Sequence, residues 1–355
     1  MVLPKKILPG RRRVAGVDIG SSSLKLVELK DTSKGWALQH FAQIPLERGI
    51  IQNGLITDQD ALTKRIKKLF KAARYHGRFV TTALSGHVVM INKAGFRKME
   101  EEELRDVIVD EAGEYFPFDD IRDINFDFHI CSEETADPNR MEVVIAAARK
   151  EVTESYVSAI ERAGSRVTVM DVDSFALETA YEENYDFEAD DITALVNIGA
   201  SITNINIVRN AESVFTRNIM MGGNSVTETL EKELEVSFEE AEMIKLEGPG
   251  EEDETTVGIL GHLDPIFLEM GRSFDYFSST ASGSPLSRIL LSGGCAGIPG
   301  IAGAMKDRFR CDVELFDPFG NILYNKNVFS PSYMREIGPV ATVGVGLALR
   351  RMEEL

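Results

Sequence analysis

One pattern occurs twice in this chain and limits what it can fold into: an apolar strand, a glycine-led turn of small polar residues, and an alternating strand leaving it. The first copy, Val14 to Leu29, carries Asp18 near the end of an apolar strand (Val14, Val17, Ile19), turns through Gly20, Ser21, Ser22 and Ser23, and leaves along Leu24, Leu26, Val27 and Leu29. The second, Ala194 to Val208, sets Asn197-Ile198-Gly199-Ala200 where the first has Asp18-Ile19-Gly20-Ser21. Each is followed by a third strand, Trp36 to Ile44 and Glu212 to Ile219. This duplication predicts two similar lobes whose turns face each other across a cleft.

The turns have the size and chemistry of phosphate sites. Gly20 lets the backbone approach a ligand closely, turn N–H groups and the hydroxyls of Ser21, Ser22 and Ser23 can donate to phosphate oxygens, and Lys25 supplies positive charge. Asp18 is placed to hold a water-coordinated magnesium ion. An ordinary hairpin with solvated serines uses the same residues, so the paired turns, not either alone, carry the inference.

Composition narrows the ligand. The 355 residues are enough for two or more domains, and the net charge of −18 repels nucleic acid and anionic membrane as general partners. An anionic nucleotide must therefore be captured locally, by backbone dipoles and a few cations. Cys131, Cys295 and Cys311 are scattered without CxxC spacing and read as reduced thiols, and the five histidines are isolated, which argues against zinc sites and catalytic triads. The apolar run Pro339 to Leu349 is too short and glycine-rich to cross a bilayer, and the basic start has no apolar stretch typical of a signal peptide.

In chain order, residues 1–13 form a basic arm, read as solvated, with contact to lipid headgroups or an acidic partner as the alternative. A helix is predicted from Thr57-Asp58 to Tyr75 and a strand over Phe79 to Leu84. Residues 88–170 read as an inserted α+β unit containing an acidic helix (Glu100 to Tyr115) and a last strand, Arg166 to Met170. Asp171 and Asp173 open the next helix, either as caps or, for Asp173, to polarise an attacking water. Met221-Gly222-Gly223-Asn224 precedes one predicted helix, Ser225 to Leu246, and a second over Val257 to Phe277. Glu242 and Lys245 read either as a surface pair or as flanking a base or ribose. Strand Ile289 to Leu291, then Ser292-Gly293-Gly294 and Gly297, suits close approach of a nucleoside. A small-residue helix is predicted from Gly338 to Arg351.

The order Asp18-Ile-Gly-Ser, Asn197-Ile-Gly-Ala, Ser292-Gly-Gly resembles the two phosphate motifs and the adenosine motif of the actin-like ATPase superfamily. Glu114-Tyr115-Phe116-Pro117-Phe118, Asp317-Pro318-Phe319-Gly320-Asn321-Ile322 and Gly346-Leu347-Ala348-Leu349-Arg350 are similar to signatures of the PilM family of type IV pilus assembly proteins, related to FtsA. The resemblance, which runs from Val14 to the C-terminus, implies an α/β, ribonuclease H-like, two-lobed actin-like fold with an FtsA-type insert. Residues 14–87 with 171–190 and 338–355 would form the first lobe, 88–170 the insert, and 191–337 the second lobe, with a helical nucleotide-capping part over 224–285.

It also implies a cytoplasmic ATP- and magnesium-binding scaffold, peripheral at the inner membrane and used in twitching motility. It would bind the N-terminal peptide of PilN in a groove between first lobe and insert, alongside other platform proteins and motor ATPases. Asp18, Gly20, Ser21, Ser22, Ser23 and Lys25 would meet phosphates and magnesium. Asn197, Gly199, Ala200, Gly222, Gly223 and Asn224 would close from the other lobe, with Glu242, Lys245, Gly293, Gly294 and Gly297 around the nucleoside. Asn197 replaces the superfamily's usual acid, which bears on turnover more than on binding. A filament-forming division protein like FtsA would carry a membrane-targeting helix after the last lobe, and this sequence stops at Glu353-Glu354-Leu355. A sugar kinase of the superfamily would show a cleft carboxylate base and a sugar pocket, and the sequence shows no convincing candidate for either.

Overall fold

In a computed structural model the described residues are 13–116, 121–131, 137–187, 191–248, 254–280 and 285–350. The basic arm before Arg13, Pro117-Phe118 of the Glu114 motif, most of the acidic run Glu251 to Glu254 and the last five residues lie outside them.

The first half runs β1 (Arg13–Ile19), β2 (Ser23–Thr32), β3 (Gly35–Pro45), the short pair β4 (Ile51–Gln52) and β5 (Leu55–Ile56), α1 (Gln59–Ala72), β6 (Phe79–Leu84), β7 (Val89–Arg97), α2 (Glu101–Asp110), α3 (Ala112–Tyr115), β8 (Ile124–Ile130), β9 (Arg140–Arg149), α4 (Lys150–Ala163) and β10 (Arg166–Val172). Helix α5 (Asp173–Asn184) leads into the second half: β11 (Ile192–Ile198), β12 (Thr203–Arg209), β13 (Glu212–Ile219), α6 (Gly223–Leu234), α7 (Phe238–Glu247), α8 (Glu254–Gly261), α9 (Asp264–Thr280), β14 (Arg288–Ser292), α10 (Ile301–Phe309), β15 (Asp312–Leu315) and α11 (Pro331–Leu349).

Two five-stranded sheets, β10-β6-β1-β2-β3 and β15-β14-β11-β12-β13, have one topology. In each, a three-stranded antiparallel meander is extended from its first strand by two parallel strands. The duplication read from the two turns thus extends to strands that share no motif. A separate sheet, β7-β9-β8, carries α2 and α3 and buries its own core around Leu104, Ile108, Phe116 and Ile145.

Several boundaries differ from the sequence reading. Strand β10 pairs in parallel with β6, and α4 buries Val152, Tyr156, Ala159 and Ile160 in the core of the first sheet, so the tail of the 88–170 segment packs with the first lobe. The acidic helix breaks after Asp110, and the helix expected over Ser225 to Leu246 breaks at Glu235, whose φ is 53°. A fresh helix starts at Phe238 behind a capping box of Ser237 and Glu240. The Val257 to Phe277 helix is likewise two, α8 and α9. Helix α11 starts earlier than expected, at Pro331, and runs through Pro339, because nearly every residue from Ile337 onward is buried and packing overrides the cost of the proline.

Helices α5 and α11 pack together between the two sheets and share one core with both. Small residues make the contact possible: a Cβ on Gly346 would overlap the carbonyl oxygen of Ala176, one on Gly344 would sit 2.8 Å from Val27, and one on Gly16 would sit 2.7 Å from Ala348 N.

A polar cluster lines this junction. The Arg350 guanidinium donates to both carboxylate oxygens of Asp171 at 2.5 and 3.1 Å, and Asn206 on β12 donates to Glu178 at 3.3 Å. Burial, with Glu182 adding repulsion, pushes the Glu178 carboxyl up to about 7, against the pull of Asn206, Ser213 and Arg350. A carboxyl raised on folding binds its proton more tightly in the native state, so its contribution is present below the unfolded value near 4.5 and lost as pH rises through about 7. Stability of the Glu178→Gln variant is therefore expected to lose on the order of 2 kcal/mol less than the parent between about pH 5 and about pH 8. Urea melts at the two pH values check this, and parallel slopes for the two proteins would contradict it.

Candidate functional site

Each turn is built from the strand ends upward. Asp18 and Asn197 are both the penultimate residues of their strands, facing Lys25 and Asn204 across the meander. The glycine N–H of each turn closes on a carbonyl, Gly20 to Ser23 at 3.1 Å and Gly199 to Ile202 at 2.9 Å. From the neighbouring parallel strand, Thr82 Oγ1 donates to the Val17 carbonyl at 2.8 Å and Ser292 Oγ to the Val196 carbonyl at 3.1 Å. The local match between lobes thus pairs Ser292 of the glycine loop motif with Thr82, which the sequence reading did not single out. Aligning β6 with β14 as well as β1 with β11 is the signal that finds it.

The turns are in contact. Ser21 Oγ donates to Ser201 Oγ at 2.9 Å, Asn224 Nδ2 reaches the same Ser201 oxygen at 3.2 Å, and Asn218 Nδ2 donates to the Gly86 carbonyl at 3.0 Å. Asn204 donates to Asn218 at 2.7 Å, so a chain of neutral amides crosses from one lobe to the other. Ser22 is exposed beside this contact and Ser23 is buried at the start of β2.

The charged groups beside the first-lobe turn are Asp18, Lys25 and Asp173. Lys25 Nζ donates to Asp18 at 3.1 Å, and both side chains are largely buried. Asp173 is raised well above the usual carboxylate range, chiefly by burial and then by Asp18, against opposing contributions from a Ser85 hydrogen bond and Lys25. Neither aspartate caps α5 as read from sequence: the N-cap position is Val172 without a side-chain bond, and Asp171 is turned to Arg350.

In the second lobe the N–H of Gly223 donates to the Gly199 carbonyl at 2.9 Å and that of Asn224 to the Ala200 carbonyl at 2.7 Å. A Cβ on Gly222 would sit 2.5 Å from the Gly199 oxygen, so glycine permits this approach. Lys245 is only 2% exposed, which excludes the surface-pair alternative: its Nζ donates to Glu242 at 2.6 Å, Thr227 at 2.8 Å and the Gly223 carbonyl at 3.3 Å. Cys295 packs against Gly223, and burial pushes its thiol up to about 11, leaving it a neutral packing group. Gly293 has φ of 91°, which favours glycine, and its N–H donates to the Pro339 carbonyl at 2.9 Å, tying this loop to α11.

A nucleotide fits this donor set. Hydroxyls and one cation converge at the twin turns, and a Cβ on Gly294 or Gly297 would meet nothing within 4 Å, so the third loop has open space where a nucleoside would lie. Among the described residues no cluster of three or more His, Cys, Asp or Glu is placed to hold a metal ion.

The model of the family described as type IV pilus assembly protein PilM matches residues 16–352. The chain belongs to that family. Its structure superposes on that of a PilM-PilN type IV pilus biogenesis complex with a TM-score of 0.84 and 28% identity, covering 97% of this chain and 100% of that one. Among curated relatives, the cell division protein FtsA of Bacillus subtilis (strain 168) is 24% identical over 256 residues, 64% of this chain and 56% of the relative. FtsA of Enterococcus faecalis is 22% identical over 204 residues, 50% and 46% respectively. The chain thus spans about half the length of the division proteins it matches. MreB 5 of Spiroplasma citri, solved bound to AMPPNP, is 10% identical with a TM-score of 0.53, covering 95% of each chain. That likeness shows the actin-like fold, which this PilM-family chain has. No helix among the described residues is long and apolar enough to cross a membrane.

Proposed function

We propose that this chain is an ATP-binding scaffold of type IV pilus assembly. Nucleotide held between the two turns sets the angle between lobes, and that angle shapes a groove between the first lobe and the β7-β9-β8 sheet for the N-terminal peptide of a PilN-type membrane protein. The observation that carries the reading is the pair of matched glycine turns brought into contact at Ser21 and Ser201. Their hydroxyls would have to part to admit phosphates, so occupancy and lobe angle are linked. The likeness to a PilM-PilN complex supports the choice of partner, and on this proposal the partner would hold the protein at the inner membrane.

When bound, ATP with magnesium would supply the charge that bridges the lobes. Asp18 and Lys25 would hold ion and phosphate, the serines would donate to phosphate oxygens, and Gly294 and Gly297 would leave room for the nucleoside. Glu242 and Lys245 would wall the second-lobe side. Asn197 offers an amide where a charged acid would orient water, which favours binding over rapid turnover. Residual turnover is assigned to Asp173, whose carboxyl is raised well above the usual range by burial and by Asp18.

Calorimetric titration of ATP and of a synthetic PilN-type N-terminal peptide, singly and together, with phosphate release followed in parallel, tests this reading. Binding of both with mutual change of affinity and slow release is expected. Fast release, or phosphate transfer to a sugar, would establish an enzyme instead. Filaments formed with ATP and indifference to the peptide would favour an FtsA-like role.

A further inference from the structure

No acidic residue separates Asp60 from Glu100, although Asp and Glu make up 57 of the 355 residues. The structure turns this bias into a surface. Lys64, Lys67, Lys68 and Lys71 follow i, i+3, i+4, i+7 spacing along α1, and all four are exposed. The opposite face buries Leu62, Ile66, Leu69 and Phe70. None of the four lysines forms an ion pair among the described residues. Lys64 stands one turn after Asp60 and interacts with it, and Lys71 lies in the last turn, where a cation complements the helix dipole, which leaves Lys67 and Lys68 without a local role.

The stripe continues at the strand ends. β6 follows α1, and β10 pairs with it so that Arg166 lies opposite Phe79 and its N–H donates to the Arg78 carbonyl at 2.8 Å. Arg74, Arg78 and Arg166 are exposed there, with Phe79 45% exposed among them. β1 runs parallel to β6, so this edge lies at the end of β1 opposite Asp18, where Arg13 begins the strand.

We propose that the α1 face, together with this strand-end pole, is a docking surface for an anionic lipid bilayer. The occupant follows from charge and shape. Ammonium groups on flexible stems, spread along a convex helix with no fixed forked pairing, suit a plane of mobile phosphate headgroups better than a folded acidic protein, which demands buried anchors. The exposed Phe79 supplies an aromatic at the same level. The overall charge of −18 does not prevent this, because screening confines repulsion from distant acids to about 8 Å at physiological salt. Docking in this pose turns the nucleotide turns away from the bilayer. The inference is independent of ATP or peptide binding.

Flotation of the full chain with phosphatidylcholine vesicles, with and without phosphatidylglycerol, tests it. Binding is expected only with phosphatidylglycerol, and is expected to vanish in about 1 M salt, where the screening length falls to about 3 Å. Replacing the four α1 lysines by Gln, with the arm intact, is expected to lower the bound fraction about tenfold or more. Reversal of two charges, Lys67→Glu with Lys71→Glu, is expected to do likewise, while Lys232→Glu with Lys326→Glu, equal in net charge, leaves binding unchanged. Unaltered thermal melts show that the variants fold. No binding to phosphatidylglycerol vesicles, equal binding after the α1 changes, or binding to poly-glutamate in place of vesicles overturns the proposal, the last in favour of an acidic protein.

Discussion

Gly346→Val is expected to destabilise the protein by about 4 kcal/mol or more, enough to leave a large fraction unfolded given the usual margin of about 5–15 kcal/mol. The added Cβ would overlap the Ala176 carbonyl, which belongs to the α5 backbone and cannot rotate away, so α11 must lift off α5. That opens the core shared by both lobes, where Leu177, Leu195, Leu290 and Leu347 are fully buried. A thermal melt should show the midpoint lowered by about 10 °C, or no folded protein at all. Gly303→Ala on α10 is the internal comparison: it meets nothing within 4 Å and is expected to gain up to about 1 kcal/mol. If both variants melt like the parent, the α5–α11 contact is not what joins the lobes.

Asp18→Asn is expected to weaken magnesium-ATP binding about a hundredfold, the loss of one or two charge-assisted contacts, with little effect on the fold. The carboxylate is paired with Lys25 and raises its neighbour Asp173, so the amide removes the ligand for the ion and relieves repulsion with Asp173 at the same time. Affinity should therefore fall while the melting temperature of the free protein holds or rises. A drop in both would mark Asp18 as structural, and unchanged affinity would remove the first turn from the nucleotide site. Lys25 should be more sensitive than Lys245, since Lys245 is committed to Glu242 and Thr227 inside the second lobe.

The sequence by itself determined the duplicated turns, the strands that make them and the glycine loops. These rest on local signals: period-two alternation writes each meander into consecutive residues, and a turn's chemistry lies within four positions. Only the tertiary structure decided where β10 and α4 belong, because parallel pairing joins residues far apart in the chain and leaves no local mark. It decided that α11 passes through Pro339, since burial on all sides outweighs a local penalty, and that Lys245 is an interior cation, not a surface one. It also decided that Asp171 holds Arg350 while Asp173 faces Asp18. Neighbouring aspartates at one helix start look alike in a sequence, and the solvent and partners that each meets are fixed when the two lobes close on the same pair of helices.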